Sequence, residues 1–209
     1  MSSGKEKSGF TWLAVETAYR EARPSKHGEE LRWILNRETI RQETTGEVVT
    51  RGAIRHPGIC VIVPEEVDGR VLLLRQYRYP ADRALWELPA GTLAGRETPE
   101  GRMVATESPA ACAHRELLEE TGYRAEEMIA LGSCYAMPGS SDERIYLFLA
   151  RQLRPEAAAL DIGEVVYEVR AFSWEEIEAM IDAETIEDAK TLVGLFRWRR
   201  YRDRGGSAK

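Results

Sequence analysis

Cysteine is scarce in this 209-residue chain: Cys60, Cys112 and Cys134 are all there is. Their odd number and wide spacing exclude a disulfide framework and a zinc ribbon, and two of the three fall in apolar segments. They read as reduced core thiols of a cytoplasmic protein. No apolar run approaches the ~20 residues that a membrane span requires, and the Ser/Gly/Lys-rich start has no signal-peptide core. Positive charge is short as well, with 29 Lys+Arg against 35 Asp+Glu and a net charge of −6. That balance argues against a nucleic-acid groove, which is built on an excess of lysine and arginine. The one basic aromatic run, Arg197-Trp198-Arg199-Arg200-Tyr201-Arg202, reads as a solvated helix end complementing the macrodipole. Internal repeats are lacking beyond a short echo, Glu97-Thr98-Pro99 and Glu107-Ser108-Pro109. What remains, 43% apolar and 31% charged residues, is the composition of a soluble globular domain of ordinary size.

Acidic residues, by contrast, are concentrated. The run Arg115-Glu116-Leu117-Leu118-Glu119-Glu120-Thr121-Gly122 puts three carboxylates on one helical face, Glu116 lying at i,i+3 from Glu119 and i,i+4 from Glu120. Like charges so placed cost roughly 0.2–0.5 kcal/mol per pair, and Arg115 offsets only part of it through Glu119. A hard divalent cation with oxygen ligands would repay the cost. Ser108-Pro109 reads as an N-cap followed by proline at the first helical position, and Gly122 as the C′ glycine. Ala110, Ala113, Leu117 and Leu118 offer an apolar stripe to a core. A lone Glu-Glu pair would be a solvated helix face. The longer pattern Gly-x5-Glu-x7-Arg-Glu-Leu-x-Glu-Glu-x-Gly, from Gly101 to Gly122, arises by chance on the order of once in 10⁹ starting positions.

This string resembles the Nudix box of hydrolases that act on a nucleoside diphosphate linked to another moiety. In most of that family the first glycine ends a Pro-Ala-Gly turn, which this chain has at Glu87-Leu88-Pro89-Ala90-Gly91. The echo shifts the box glutamate ten places, from position 97 to 107, so Ala94 to about Thr106 reads as a ten-residue insertion. Gly91 is then the family glycine and Gly101 a coincidental match. Pro138, sixteen positions after Gly122, is similar to the mark of the ADP-ribose pyrophosphatase subgroup. The stretches Leu74–Pro80, Leu85–Gly91 and Ile186–Thr191 look like that subgroup too. GDP-mannose pyrophosphatases share several of these features.

Strand patterns fall at Leu31–Leu35, Val48–Ile54, Ile59–Val63, Val71–Leu74, Met128–Tyr135, Ile145–Ala150 and Val165–Phe172. Thr44–Glu47 reads as a turn, and Asp68-Gly69 as a tight hairpin between two continuously apolar strands. Ser173-Trp174-Glu175-Glu176 is a capping box, and Asp188 caps a last helix carrying Leu192, Leu195 and Phe196. The expectation is an α+β fold with one mixed sheet, consistent with the α/β/α sandwich the resemblance implies. Residues 1–55 would be a small N-terminal β region through which the subgroup dimerises, 56–203 the hydrolase domain, and 204–209 a disordered tail, with the first eight residues also disordered.

The resemblance further implies a Mg²⁺ site, with Mn²⁺ as an alternative, made by Glu116, Glu120 and the carbonyl of Ala90, Glu119 sharing a further ion. Arg115 would organise the site by pairing with Glu119 or Glu107. Arg78 would be a substrate-phosphate cation, a solvated edge arginine being the plain alternative; Arg51 or Arg55 could reach the pyrophosphate from a partner subunit, and Pro138 marks the substrate loop. The general base would lie in Asp161–Glu168, with Glu164 assigned and Asp161 and Glu168 in play. Trp33 and Tyr79 are candidates for stacking adenine, and His114 is a surface histidine. The expected reaction is hydrolysis of ADP-ribose to AMP and ribose 5-phosphate in a homodimer, with neither nucleic acid nor membrane as partner. The alternatives are a GDP-mannose or other nucleotide-sugar pyrophosphatase, or a noncatalytic ADP-ribose sensor; sensors tend to lose box glutamates, which this chain keeps.

Overall fold

The computed structural model describes residues 9–25, 28–156 and 166–206. Twelve strands and three helices are described. The first strands are β1 (Phe10–Ser25), β2 (Gly28–Gln42), β3 (Val48–Arg55), β4 (Ile59–Pro64) and β5 (Val71–Arg78). After a single 3-10 turn at Tyr79–Ala81 come β6 (Arg83–Glu87), β7 (Ala90–Thr92), β8 (Gly95–Glu97) and β9 (Met103–Ala105). Then follow α1 (Pro109–Thr121), β10 (Tyr123–Tyr135), β11 (Arg144–Pro155), β12 (Val166–Phe172), α2 (Trp174–Asp182) and α3 (Ala189–Asp203).

The layering follows from side-chain alternation along β4. Successive strand residues point to opposite faces. Cys60 and Ile62 accordingly pack with Cys112, Ala113 and Leu117 of α1, while Val61 and Val63 pack with Leu88, Ile177 of α2, and Leu195 and Trp198 of α3. Both faces of β4 are therefore buried, which is why its sequence is continuously apolar. Its sheet has the order β10-β11-β4-β7, with β11 and β4 parallel and the other pairs antiparallel. This gives an α+β sandwich.

The strands do not form one mixed sheet as expected. Those described divide among four: β1-β2-β3, β10-β11-β4-β7, β12-β5-β6 and the hairpin β8-β9. The Asp68-Gly69 turn joins β4 to β5 through the single bridge Glu65↔Val71, after which the two strands enter different sheets. Four further expectations need correction. Ala110 is exposed and Leu118 half-buried, so the buried face of α1 is Cys112, Ala113, Glu116, Leu117 and Glu120. Phe196 is 62% exposed, whereas Trp198, inside the supposedly solvated basic run, is fully buried and lies under Arg202. Arg204 to Gly206, assigned to a disordered tail, are held in turns by carbonyls of Tyr201 and Arg202. Among the described residues no helix is long and apolar enough to cross a membrane. Residues 1–8 and 207–209 lie outside those described.

The stretch from Ala94 to Thr106 is an ordered hairpin. Its strands β8 and β9 pair antiparallel, and the turn between them docks on the N-terminal sheet. Asn36 Nδ2 donates to the Gly101 carbonyl at 2.7 Å, Arg20 forks onto Glu97 at 2.6 and 2.9 Å, Thr17 donates to Glu97, and Arg102 lies over the Trp12 ring. Gly101, with φ +70°, thus serves the tip of the hairpin.

Candidate active site

Helix α1 begins where Ser108 accepts a hydrogen bond from the Ala111 N–H and Pro109 occupies the first turn, and it ends on Gly122 in the left-handed region at φ 73°. These caps fix its phase. Glu116 and Glu120, one turn apart, are 6% and 4% exposed, and both meet the Pro89-Ala90-Gly91 turn. The Ala90 N–H donates to Glu120 Oε2 at 2.8 Å. Glu116 lies so close to Gly91 that a Cβ built on residue 91 would fall 1.7 Å from its Oε1. Gly91, therefore, is the glycine this helix requires.

Arg115 is shared by three carboxylates. It donates to Glu107 at 3.2 and 3.1 Å, to Glu116 at 2.7 Å and to Glu119 at 3.0 Å, and reaches the Thr92 carbonyl at 3.3 Å. Burial works to lower its pKa, but Glu107 and Glu116 outweigh it and hold the guanidinium firmly charged. Burial likewise works to raise Glu107, yet the bonds from Arg115 and the Ala94 N–H bring it below the usual carboxylate range. Both partners expected for Arg115, Glu107 and Glu119, are present, and Glu116 is a third. Its other neighbour is Cys112, whose thiol is pushed up by contact with Cys60 and by burial.

One guanidinium cannot neutralise three carboxylates, so the cluster keeps an excess of negative charge on hard oxygen donors. That donor set suits a divalent cation of the Mg²⁺ type. Among the described residues no three side chains already stand in a coordination geometry: Glu116 and Glu119 turn to Arg115, and Glu120 to Ala90. A cation would displace Arg115 from Glu116 and Glu119 to gain those oxygens.

The other expected residues gather in separate places. Arg78 forks onto Glu87 at 2.9 and 2.7 Å, and Lys190 donates to the same carboxylate. Glu87 is 1% exposed; burial pushes its pKa up, but Arg78 and Lys190 more than reverse that. Lys190 also pairs with Asp188, the cap of α3. Neither Glu87 nor Lys190 was identified as a site residue from sequence, although both stand in stretches that match the subgroup. Glu143, also missed, is raised by burial, with Lys190 pulling the other way.

Arg51 and Pro138 come together. With Arg55, Trp12, Tyr135 and the loop Gly139–Asp142 they line a cleft of about 400 Å³. The loop is pinned to β3: Ile54 N–H donates to the Ser140 carbonyl, and Arg55 pairs with Asp142 at 3.1 Å and with the buried Glu38 at 2.6 Å. Trp33 is paired with Tyr19, ring centroids 5.6 Å apart, while Tyr79 is 81% exposed. His114 is exposed. Glu168 is exposed on β12 and, with Tyr167 and Val169, faces Glu119 and Glu120 across a cleft of about 300 Å³. Asp161 and Glu164 lie outside the described residues.

A capped helix whose carboxylates meet a Pro-Ala-Gly turn is the feature that comparison with known proteins ties to hydrolases acting on pyrophosphate bonds. The NUDIX domain family matches residues 54–193, and the chain belongs to that family, whose members generally use divalent metal ions. It is 33% identical over 152 residues to the ADP-ribose pyrophosphatase of Bacillus subtilis (strain 168), covering 72% of this chain and 76% of that protein. It is 32% identical over 157 residues to a GDP-mannose pyrophosphatase of Yersinia enterocolitica, covering 71% and 74%. A crystal structure described as an ADP compounds hydrolase has the same fold, with a TM-score of 0.74 and 21% identity over 98% of this chain and 100% of that one.

Proposed function

We propose that this chain hydrolyses the pyrophosphate bond of ADP-ribose, releasing AMP and ribose 5-phosphate, and that its metal is Mg²⁺, with Mn²⁺ able to substitute. The observation that carries this reading is the packing of Glu116 and Glu120 against the Ala90-Gly91 turn, with Glu119 beside them on Arg115. The similarity to a Bacillus protein named ADP-ribose pyrophosphatase supports the substrate.

In this reading Glu116, Glu120 and the Ala90 carbonyl hold the first ion, and Glu119 helps hold another. The bound ion would neutralise charge on the nonbridging phosphate oxygens. Arg115 keeps the carboxylates in place before it binds. Glu164 accepts the proton of the water that attacks phosphorus, Asp161 and Glu168 being the alternatives, as the P–O bond to the other phosphate breaks. Arg78 and Arg51 bind the pyrophosphate, Arg78 from its fork on Glu87, and Pro138 shapes the substrate cleft. Residues 1–55 form a dimerisation region whose exposed Phe10, Leu13 and Val48 are covered in a homodimer, and 56–203 form the hydrolase domain. The enzyme works in the cytoplasm without nucleic acid.

Turnover of a panel of nucleoside diphosphate sugars, with Mg²⁺ and with chelator, tests this. ADP-ribose should be cleaved fastest and chelator should stop it. GDP-mannose is the second reading, favoured by the Yersinia relative, and faster cleavage of that substrate would establish it instead. Glu120→Gln should abolish turnover by orders of magnitude with the fold intact, and wild-type rates would end the metal assignment. Glu164→Gln should lower kcat more than it weakens binding. A larger loss in Asp161→Asn would move the base there. Tight ADP-ribose binding with no hydrolysis would make the protein a sensor.

A further inference from the structure

Cys60 of β4 and Cys112 of α1 face each other across the layer between sheet and helix, their Sγ atoms 3.0 Å apart and both residues fully buried. The pair lies directly beneath the proposed metal cluster. Cys60 is opposite Gly91 in the β4–β7 register, Cys112 Sγ is 3.7 Å from the Gly91 carbonyl oxygen, and Arg115 Nη2 is 3.6 Å from the same sulfur. Glu116 follows Cys112 by one helical turn on the buried face. The pair can therefore couple the chemistry of two thiols to the position of the helix.

We propose that Cys60 and Cys112 are a modification site, a dithiol that peroxide converts to a disulfide joining α1 to β4. One thiol is oxidised by peroxide to a sulfenic acid as the O–O bond breaks and one water leaves. The second sulfur then attacks it, the S–O bond breaks, and the hydroxyl departs with the remaining thiol proton as a second water. Two electrons pass from the sulfurs to the peroxide, and a dithiol reductant reverses the bond. Thiols kept protonated and away from bulk water react slowly, so hours of exposure are required. Bond formation draws the sulfurs together by roughly 1 Å. A shift of that size where Gly91, Arg115 and Glu116 meet is enough to cost on the order of tenfold to a hundredfold in rate.

The thiol chemistry stands by itself; the effect on rate rests on the proposed hydrolase reading. Full-length protein is incubated with hydrogen peroxide, denatured in guanidine, alkylated and digested. A Cys60–Cys112 cross-linked peptide should appear and both of those thiols should become inaccessible to alkylation, with no cross-link through the half-exposed Cys134. Cys134, which packs on the opposite core cluster, is the internal control. Hydrolysis should fall at least tenfold in step with the cross-link and return with dithiothreitol. Cys112→Ala should resist peroxide and Cys134→Ala should not. Three titratable thiols after exposure, or a cross-link through Cys134, overturns the site; a Cys60–Cys112 cross-link with unchanged turnover overturns its coupling to the helix. Should the variant fail to fold, the wild-type peptide map still decides. Protein that hydrolyses nothing before oxidation refutes the hydrolase reading and leaves the thiol result intact.

Discussion

Gly91 and Glu116 occupy each other's space: the position of a Cβ on residue 91 is 1.7 Å from Oε1 and 1.8 Å from Cδ of the glutamate. Any side chain at 91 must expel that carboxylate from the turn. Because the carboxylate is the tip of a side chain, it can swing away without unfolding α1, whose core contacts are made by Cys112, Ala113 and Leu117. Gly91→Ala should leave the helical circular dichroism unchanged and lower kcat by a factor of a hundred or more, since a displacement of about 1 Å at a reacting centre has that effect. An alanine variant with wild-type kcat would remove Glu116 from the reaction.

Gly101 offers the opposite expectation, though it fits the box spacing better. A Cβ there would meet Val15 Cγ1 at 2.8 Å and Asn36 Nδ2 at 3.2 Å, and its φ of +70° disfavours any L side chain. Both effects fall on the docking of the β8–β9 hairpin, away from the helix. Gly101→Ala should lower stability by roughly 1–2 kcal/mol and retain most of its turnover at temperatures where it is folded. Urea denaturation and steady-state kinetics on the two glycine variants together distinguish the glycine that makes room for Glu116 from the one that serves the hairpin tip.

The contrast shows what sequence can carry. Caps and spacing are local, so Ser108, Pro109, Gly122, the capping box at Ser173 and the carboxylate face of α1 could all be read from residues within a few turns of each other. The echo at 97 and 107 suggested extra length before the helix, but the docking of the hairpin that stands there depends on Thr17, Arg20 and Asn36, far away in the chain. Strand β1 escaped notice because its pairing with β2 shifts register at Trp12/Ala14, Thr17/Tyr19 and Glu21/Ala22, which destroys the two-residue alternation a strand shows in sequence. Trp198 looked solvated because arginines flank it. Those cations lie over aromatic rings, Arg199 over the half-buried Trp174 and Arg202 over the fully buried Trp198, so the charged residues help cover the apolar ones.

Acid should loosen the junction between the N-terminal sheet and the rest of the fold through His56. Burial, with Arg32 nearby, lowers its imidazole pKa from 6.5 to about 4, Asp142 pulling weakly the other way. Its Nδ1 accepts a hydrogen bond from the Gly58 N–H at 3.0 Å, which a protonated ring cannot do. Between pH 6.5 and about 4 the unfolded chain binds a proton that the folded chain does not. The stabilisation is thus complete above pH 6.5 and declines as pH falls through this window. At about 1.4 kcal/mol per pH unit the loss reaches roughly 3 kcal/mol at its lower end. Urea midpoints measured from pH 4 to 8 should fall with acid more steeply in wild type than in His56→Gln. Equal slopes would assign the acid sensitivity to buried carboxylates.

Arg78 and Lys190 compete for one buried carboxylate, and this decides what each variant will do. Glu87 is the shared, buried partner of Arg78 and Lys190, and Asp188 alone cannot replace it: Glu87→Gln should cost on the order of 3 kcal/mol, the range for breaking a buried ion pair. Removing Arg78 is different, because Lys190 still holds Glu87. Arg78 is also 30% exposed, against 17% for Lys190, which favours Arg78 for the phosphate contact proposed above. Arg78→Ala should therefore raise KM for the pyrophosphate substrate at least tenfold while the melting temperature falls by only a few degrees. Arg78→Lys should recover stability but little of the affinity, since an ammonium cannot bind carboxylate and phosphate through one planar fork. A variant that melts early yet keeps its KM would make Arg78 a purely structural partner of Glu87.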